Sequence, residues 1–349
     1  MRAALTFHTL HLRQAFTISR GSRTEQRTTV VALADGEGCT GYGEVADNFY
    51  YTQAHPDEVA KVLGSLAPVL AKADPDAPAE LFAACEPLVG GNYFALSALD
   101  MAAHDLAARR ARRPLYGYWG YDWDEARIPV SNYTLSIGAP EAVLAQALAN
   151  PWPSYKVKLG GGADVETVAL LRAELPEVQL CVDANAAWEE AEATEKSIAL
   201  ASHGVAFVEQ PCARGAFAKT RRARARVHAE QRALKPLFVA DEDCQTEGDV
   251  AKCERAFDVV NVKLSKCGGP TPARRMVAEA KALGLGVMFG CMIESSYAIG
   301  VLRHFAAVAD FIDLDGHLLI GNDIARGIDF LPDGRPARPT GYGSGVEPV

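Results

Sequence analysis

Two segments far apart in the chain each end in a lysine that a barrel could aim at one carbon atom. They are Tyr155-Lys156-Val157-Lys158-Leu159-Gly160 and Val260-Asn261-Val262-Lys263-Leu264-Ser265. Between them, three acidic residues each close a short apolar run: Asp183, Glu209 and Asp241. Three converging carboxylates repel one another and resist joint ionisation. A hard divalent cation resolves this, and oxygen-only ligands with room for water favour Mg²⁺. Burial and a nearby cation are expected to lower the lysine pKa values towards the ~7–8 range of a working general base. Lys158 and Lys263, on roughly opposite strands, would then flank a substrate carboxylic acid held at the metal. One removes the α-proton, the other returns one to the opposite face, and the centre inverts. Such acid–base help contributes roughly 10²–10⁴-fold. The larger share must come from stabilising the charge that builds on the carboxylate, through the metal and a further cation. Lys156, two residues from Lys158 and on the same strand face, is that cation. Lys266, three residues past Lys263, is expected to lie outside the site. Asn185 either orients a ligand or is only a turn residue.

These residues need a frame that brings them together. From about residue 127 onward, short apolar runs alternate with helical stretches: Ile128–Ser136, Ser154–Lys158, Gln179–Asp183, Val205–Glu209, Leu237–Asp241, Val259–Lys263, Gly286–Phe289 and Phe311–Asp315. Such alternation points to a parallel α/β barrel, whose reacting groups project from the C-terminal strand ends. Lys158, Asp183, Glu209, Asp241, Lys263 and Asp315 end their runs at that location. Before residue 127 the pattern differs. Arg2 to Leu33 reads as strands, with a hairpin signal at Asp35-Gly36 and a further strand through Tyr42-Gly43-Glu44. Helical patterns follow over Pro56–Ala73, Ala79–Leu88 and Tyr93–Ala111. The expected division is an α+β domain over 1–126, a barrel over 127–320, and a Gly- and Pro-rich segment, 321–349, that returns to the first domain.

Bulk properties exclude several classes of function. With 349 residues, 49% of them hydrophobic and 23% charged, the chain is long enough for a barrel and a second domain. A formal net charge of −9 argues against a nucleic-acid partner, and the basic stretch Arg221–Arg232 reads as a solvated helix face. The eight cysteines contain no Cys-x-x-Cys pair, so a structural zinc site is not expected. No apolar run reaches membrane-spanning length and the start has no signal-peptide pattern, so the expected location is the cytoplasm, with no membrane partner. The glycines at 160–162 and 268–269 read as tight turns rather than phosphate cradles. Homo-oligomerisation is left open.

Lys156-Val157-Lys158, Asp183-Ala184-Asn185, Glu209-Gln210-Pro211, Ala240-Asp241-Glu242 and Asn261-Val262-Lys263 together resemble the muconate-lactonizing subgroup of the enolase superfamily. The resemblance runs collinearly from about Arg2 to the C-terminus. It implies a modified TIM barrel, (β/α)7β, under an N-terminal α+β capping domain, with Mg²⁺ at Asp183, Glu209 and Asp241 and acid/base lysines at 158 and 263. Within the subgroup, Asp313-Leu314-Asp315 looks like the paired aspartates with which dipeptide epimerases hold a free α-ammonium group. Two anions on one strand face suit a cation. Gly290-Cys291-Met292-Ile293-Glu294-Ser295-Ser296 looks like the epimerases' seventh-strand segment, implying that its backbone lines the substrate, with contacts at Met292 and Ile293. Thr134 matches their first-strand contact. Phe16–Arg23 resembles the first loop of L-Ala-D/L-Glu epimerases, where Arg20, with Arg23 in reserve, would pair with a glutamate side chain. The second loop, Asn48-Phe49-Tyr50-Tyr51, departs from that pattern.

The resemblance therefore implies an isomerase that epimerises a dipeptide, L-Ala-D/L-Glu first. Another enzyme of the subgroup (o-succinylbenzoate synthase, N-acylamino-acid racemase or cycloisomerase) would leave Asp313 and Asp315 without a purpose. A catalytically silent peptide-binding barrel would leave the paired lysines without one.

Overall fold

The computed structural model describes residues 1–18, 21–48, 51–230 and 234–349. Strands β1 (Arg2–Ile18), β2 (Gly21–Ala34) and β3 (Thr40–Ala46) form an antiparallel sheet in that order. The helix Tyr93–Arg110 packs along this sheet, its first turn closed by the Asn92 side chain, which accepts from the Ala95 amide at 3.0 Å. The approach is close because β3 carries glycines. A Cβ on Gly41 would lie 2.2 Å from the Ala102 carbonyl oxygen, and one on Gly43 would lie 2.0 Å from that of Ala98. Gly41→Ala should therefore force strand and helix apart and cost about 1–3 kcal/mol, read as a lowered urea midpoint.

The barrel strands follow: β4 (Tyr133–Leu135), β5 (Ser154–Lys158), β6 (Gln179–Asp183), β7 (Val205–Glu209), β8 (Leu237–Ala240), β9 (Val259–Val262), β10 (Gly286–Phe289) and β11 (Phe311–Ile312). Each pairs in parallel with the next. A parallel bridge from Ser131 to Ile312 closes the ring, with the Asn132 amide donating to the Ile312 carbonyl at 3.1 Å. Helices fill every β-to-β connection from β4 to β11, and among the described residues only a 3₁₀ turn, Gly316–Leu319, follows β11, which is the (β/α)7β arrangement.

Several sequence-based boundaries shift. The run Ile128–Ser136 contributes only Tyr133–Leu135 to the ladder, and Phe311–Asp315 only Phe311–Ile312. The helix expected over Pro56–Ala73 breaks at Leu66 into Pro56–Ser65 and Ala67–Leu70, because Pro68 cannot continue the hydrogen-bond ladder and instead opens a new turn. Pro87 likewise ends the helix Pro78–Cys85 in a 3₁₀ turn.

The tail runs against the first sheet and its helix. Gly343 exchanges backbone hydrogen bonds with Leu115 and Arg113, both at 2.9 Å, and the Ser344 amide donates to Asp105 at 2.6 Å. A carboxylate also joins the two halves beside the barrel mouth. Glu44, buried on β3, accepts from the Ser295 amide and hydroxyl (3.0 and 2.5 Å) and from the Ala298 amide (3.1 Å), at the start of the helix Ser296–Leu302. On the other flank, Asp100 of the long helix accepts from the Thr271 amide and hydroxyl at 2.7 and 2.8 Å.

Burial pushes the Asp100 carboxyl up to about 7, against the pull of the Thr271 donors. The unfolded value is about 3.9, so its contribution to stability is full below about pH 4 and is lost as pH rises through about 7. Asp100→Asn should shrink the fall in urea midpoint between pH 5 and pH 8. No helix among the described residues is long and apolar enough to cross a membrane.

Candidate active site

The barrel interior changes character along its axis. Its lower layer is apolar: Cys181, Phe207, Val239, Val259 and Met288, with Phe311 against them. Side chains two residues further along a strand point the same way, and on three of these strands they are the carboxylates Asp183, Glu209 and Asp241. Register places Lys158 beside Asp183 and Asp183 beside Glu209. Glu209 pairs with Val239, so Asp241 sits one pleat higher on the next strand.

One carboxylate oxygen from each of Asp183, Glu209 and Asp241 lies within 4.8 Å of the others, and all three residues are buried. Lys158 Nζ is 2.6 Å from Asp183 Oδ2, and Lys263 Nζ is 2.9 Å from Asp241 Oδ2. The two amines thus reach the acidic group from β5 and from β9, four strands on. Asn185 does both of the jobs left open above. Its backbone turns in the left-handed region (φ 45°), while its amide N–H and side-chain NH₂ donate to Asp183 at 2.8 and 3.2 Å.

Lys156 lies deeper, bonded to Asp313 and 3.3 Å from Glu209 Oε2. Asp315 accepts from the Thr134 amide at 2.6 Å. A cavity of about 200 Å³ opens above these groups. Its barrel side is lined by Thr134, Lys156, Lys158, Asn185, Asp241, Glu242, Lys263, Lys266, Cys291, Met292, Ile293, Asp313 and Asp315. Its roof comes from the first domain: Phe16, Ile18, Gly21, Ser22, Arg23, Gln26, Asp47, Asn48 and Tyr51. Arg20 lies outside the described residues, as do Phe49 and Tyr50. Arg23 reaches the wall and donates to Gln26, whose own NH₂ is fixed by the carbonyls of Arg27 (2.8 Å) and Asp47 (2.6 Å). Tyr51 is tied to the barrel through Gln245, which donates to its hydroxyl at 3.0 Å.

One expectation is corrected. Lys266 is not outside the site: it is buried, and its Nζ is 2.6 Å from Asp241 Oδ1. The helix Leu264–Cys267 begins directly after Lys263, so the residue three further on returns to the same side. The amine of Lys263 answers to the same acidic group. Burial alone would lower it, but the carboxylates of Asp241 and Glu209 outweigh burial and hold it above the ordinary lysine range. The same balance, with Asp313 and Glu209, raises Lys156. That anionic support is what a bound cation would compete for.

The acidic group itself fits a hard divalent ion. Burial and the charge of Asp183 push Glu209 up, and its Oε2 has no hydrogen-bond partner. Asp183 and Asp241 stay low despite burial only because lysines sit on them. An all-oxygen donor set of this span suits Mg²⁺.

Sequence reasoning also missed Asn261, which donates to Glu209 Oε1 at 2.6 Å, and Gly290, where a Cβ would meet the Asn261 amide at 2.7 Å and Lys263 Cε at 3.0 Å. Asn261 was legible, since it lies two residues before Lys263 on one strand. Gly290 carried no signal of its own.

Comparison with known proteins accords with this geometry. Residues 141–349 match the family described as enolase C-terminal domain-like, and residues 1–120 match the mandelate racemase/muconate lactonizing enzyme N-terminal domain. The chain belongs to the enolase superfamily. Among superfamily members it is 37% identical to an L-Ala-D/L-amino acid epimerase of Flavobacterium johnsoniae, over 99% of each chain. It is 32% identical to the L-Ala-D/L-Glu epimerase of Escherichia coli, over 91% of this chain and 94% of that one. A dipeptide epimerase from Cytophaga hutchinsonii, solved with Mg and D-Ala-L-Val, superposes with a TM-score of 0.91 at 27% identity, over 99% of this chain and 95% of that one. These enolase-superfamily relatives are isomerases acting on amino acid derivatives.

Proposed function

We propose that this enolase-superfamily chain is a Mg²⁺-dependent dipeptide epimerase that inverts the α-carbon of the C-terminal residue, with L-Ala-D/L-Glu, a murein-peptide fragment, as its first substrate. The observation that carries the reading is the approach of two amines, the part-buried Lys158 and the buried Lys263, to one acidic group from strands four apart. Asp183, Glu209 and Asp241 hold the metal. A bound Mg²⁺ supplies positive charge at the substrate's carboxylate, which makes the neighbouring α-proton easier to remove. Lys158 and Lys263 alternate as base and acid at that carbon, one on each face. Asp313 and Asp315 receive the free ammonium group, while Thr134, Met292 and Ile293 line the peptide. The buried Oδ1 of Asp313, without a hydrogen-bond partner, supports that assignment.

The division into a capping domain over 1–126, a barrel over 127–320 and a returning tail over 321–349 belongs to the same reading, and the tail contacts at Asp105, Arg113 and Leu115 support it. The eight cysteines are all free thiols, which suits a reducing cytoplasm.

For the C-terminal side chain, Arg20 or Arg23 supplies the cation for glutamate. Phe16 and Ile18 add apolar surface to the roof, which would also admit uncharged side chains. A panel of L-Ala-X dipeptides incubated with Mg²⁺ in D₂O and weighed by mass spectrometry tests the reading. A one-dalton gain in L-Ala-L-Glu, with smaller gains for apolar X, is expected. A panel in which no dipeptide gains mass would remove the assignment.

A further inference from the structure

We propose that Lys156 couples recognition of the substrate's free ammonium group at Asp313 to its own action at the reacting carboxylate. The inference rests on the dipeptide-epimerase reading and specifies how its site tells a free amine from a blocked one.

Lys156 is shared between two anions. Its side chain is only 2% exposed, its Nζ is bonded to Asp313, and Glu209 Oε2 stands 3.3 Å away. Asn261 already occupies the other Glu209 oxygen, at 2.6 Å. Asp313 Oδ1 is buried without a hydrogen-bond partner among the described residues, and Asp313 lines the cavity. Asp315 is held separately by the Thr134 amide, at 2.6 Å, and has no bond to Lys156. Lys156 therefore bridges the carboxylate at the ammonium site and a carboxylate of the metal group.

A cation between two anions moves towards the one that is less neutralised. A substrate ammonium arriving at Asp313 Oδ1 neutralises that carboxylate and weakens its hold on Lys156. Glu209, and the substrate carboxylate bound beside it, then become the stronger attraction. Lys156 shifts towards the charge that builds as the α-proton leaves. An N-acylated dipeptide brings no such charge, so Lys156 stays on Asp313 and turnover suffers even at saturation. Were Asp313 only an anchor, a missing ammonium group would raise KM and leave kcat unchanged.

The test follows α-proton exchange in D₂O by NMR, with Mg²⁺, on L-Ala-L-Glu and N-acetyl-L-Ala-L-Glu across a range of concentrations. In the parent protein, kcat for the acetylated substrate should fall at least about 30-fold below that for the free dipeptide. Asp313→Asn removes the anion that retains Lys156. It should raise kcat for the acetylated substrate roughly tenfold over the parent while raising KM for the free one. Asp315→Asn should raise KM for the free dipeptide and give the acetylated one no gain in kcat. If Asp313→Asn does not fold, Lys156→Gln supplies the same test, because the two substrates should then share nearly one kcat. The coupling is overturned if the parent exchanges L-Ala-L-Glu while neither variant changes the ratio of the two kcat values. No exchange of any free dipeptide by the parent sinks the epimerase reading, and this inference with it.

Discussion

Lys158→Met should abolish epimerisation while deuterium still enters one epimer of the dipeptide, and Lys263→Met should do the same for the other epimer. The two amines sit on different strands, with Lys158 at Asp183 and Lys263 at Asp241, so each serves one face of the α-carbon. Removing one base leaves the other able to take its proton and return a deuteron to the same face. The epimer whose proton points to the missing base is inert. Inversion needs both amines, so its rate should fall by at least about 10²–10⁴-fold in either variant. NMR of each pure epimer in D₂O separates exchange from inversion. Exchange of both epimers in a single-lysine variant would show that one group serves both faces.

The second large effect concerns the metal. Removing Mg²⁺ with a chelator, or replacing Glu209 by glutamine, should lower turnover by about 10³-fold or more. A Lewis-acid ion contributes several kcal/mol, and each ~1.4 kcal/mol is tenfold. The variant should also reverse sign in stability. Without metal, burial and the charge of Asp183 destabilise the ionised Glu209, so Glu209→Gln should melt higher than the parent. With Mg²⁺ at a hundred times its dissociation constant, the parent should gain about 2.7 kcal/mol and the variant almost nothing. Melting curves with and without Mg²⁺ decide this. A parent that gains nothing from Mg²⁺ would contradict the ligand assignment.

The legible part of the site was the part written in strand periodicity. Lys156 and Lys158 are two residues apart on β5, whereas Asp313 and Asp315 follow the end of β11. Apolar runs ending in charge located the barrel mouth because Phe207 gives way to Glu209, and Val239, one pleat higher, to Asp241. What escaped the sequence depends on other geometry. Lys266 returns to Asp241 through a helical turn rather than along a strand. Glu44 reaches the barrel from a different sheet, and no local pattern announces a carboxylate that accepts from the start of a distant helix. The raised amine of Lys263 could not be read either, since it follows from the distances to Asp241 and Glu209 rather than from burial alone. Pro68 and Pro87 are breaks that the residue types alone announce.

The central claim is that one α-hydrogen is exchanged with solvent as the C-terminal residue inverts. The most direct measurement is L-Ala-L-Glu incubated with the protein and Mg²⁺ in D₂O, followed by proton NMR. The account predicts that the glutamate α-proton signal disappears as L-Ala-D-Glu forms, with the alanine α-proton untouched. Inversion that retains the original hydrogen, or deuterium appearing at alanine, would contradict it.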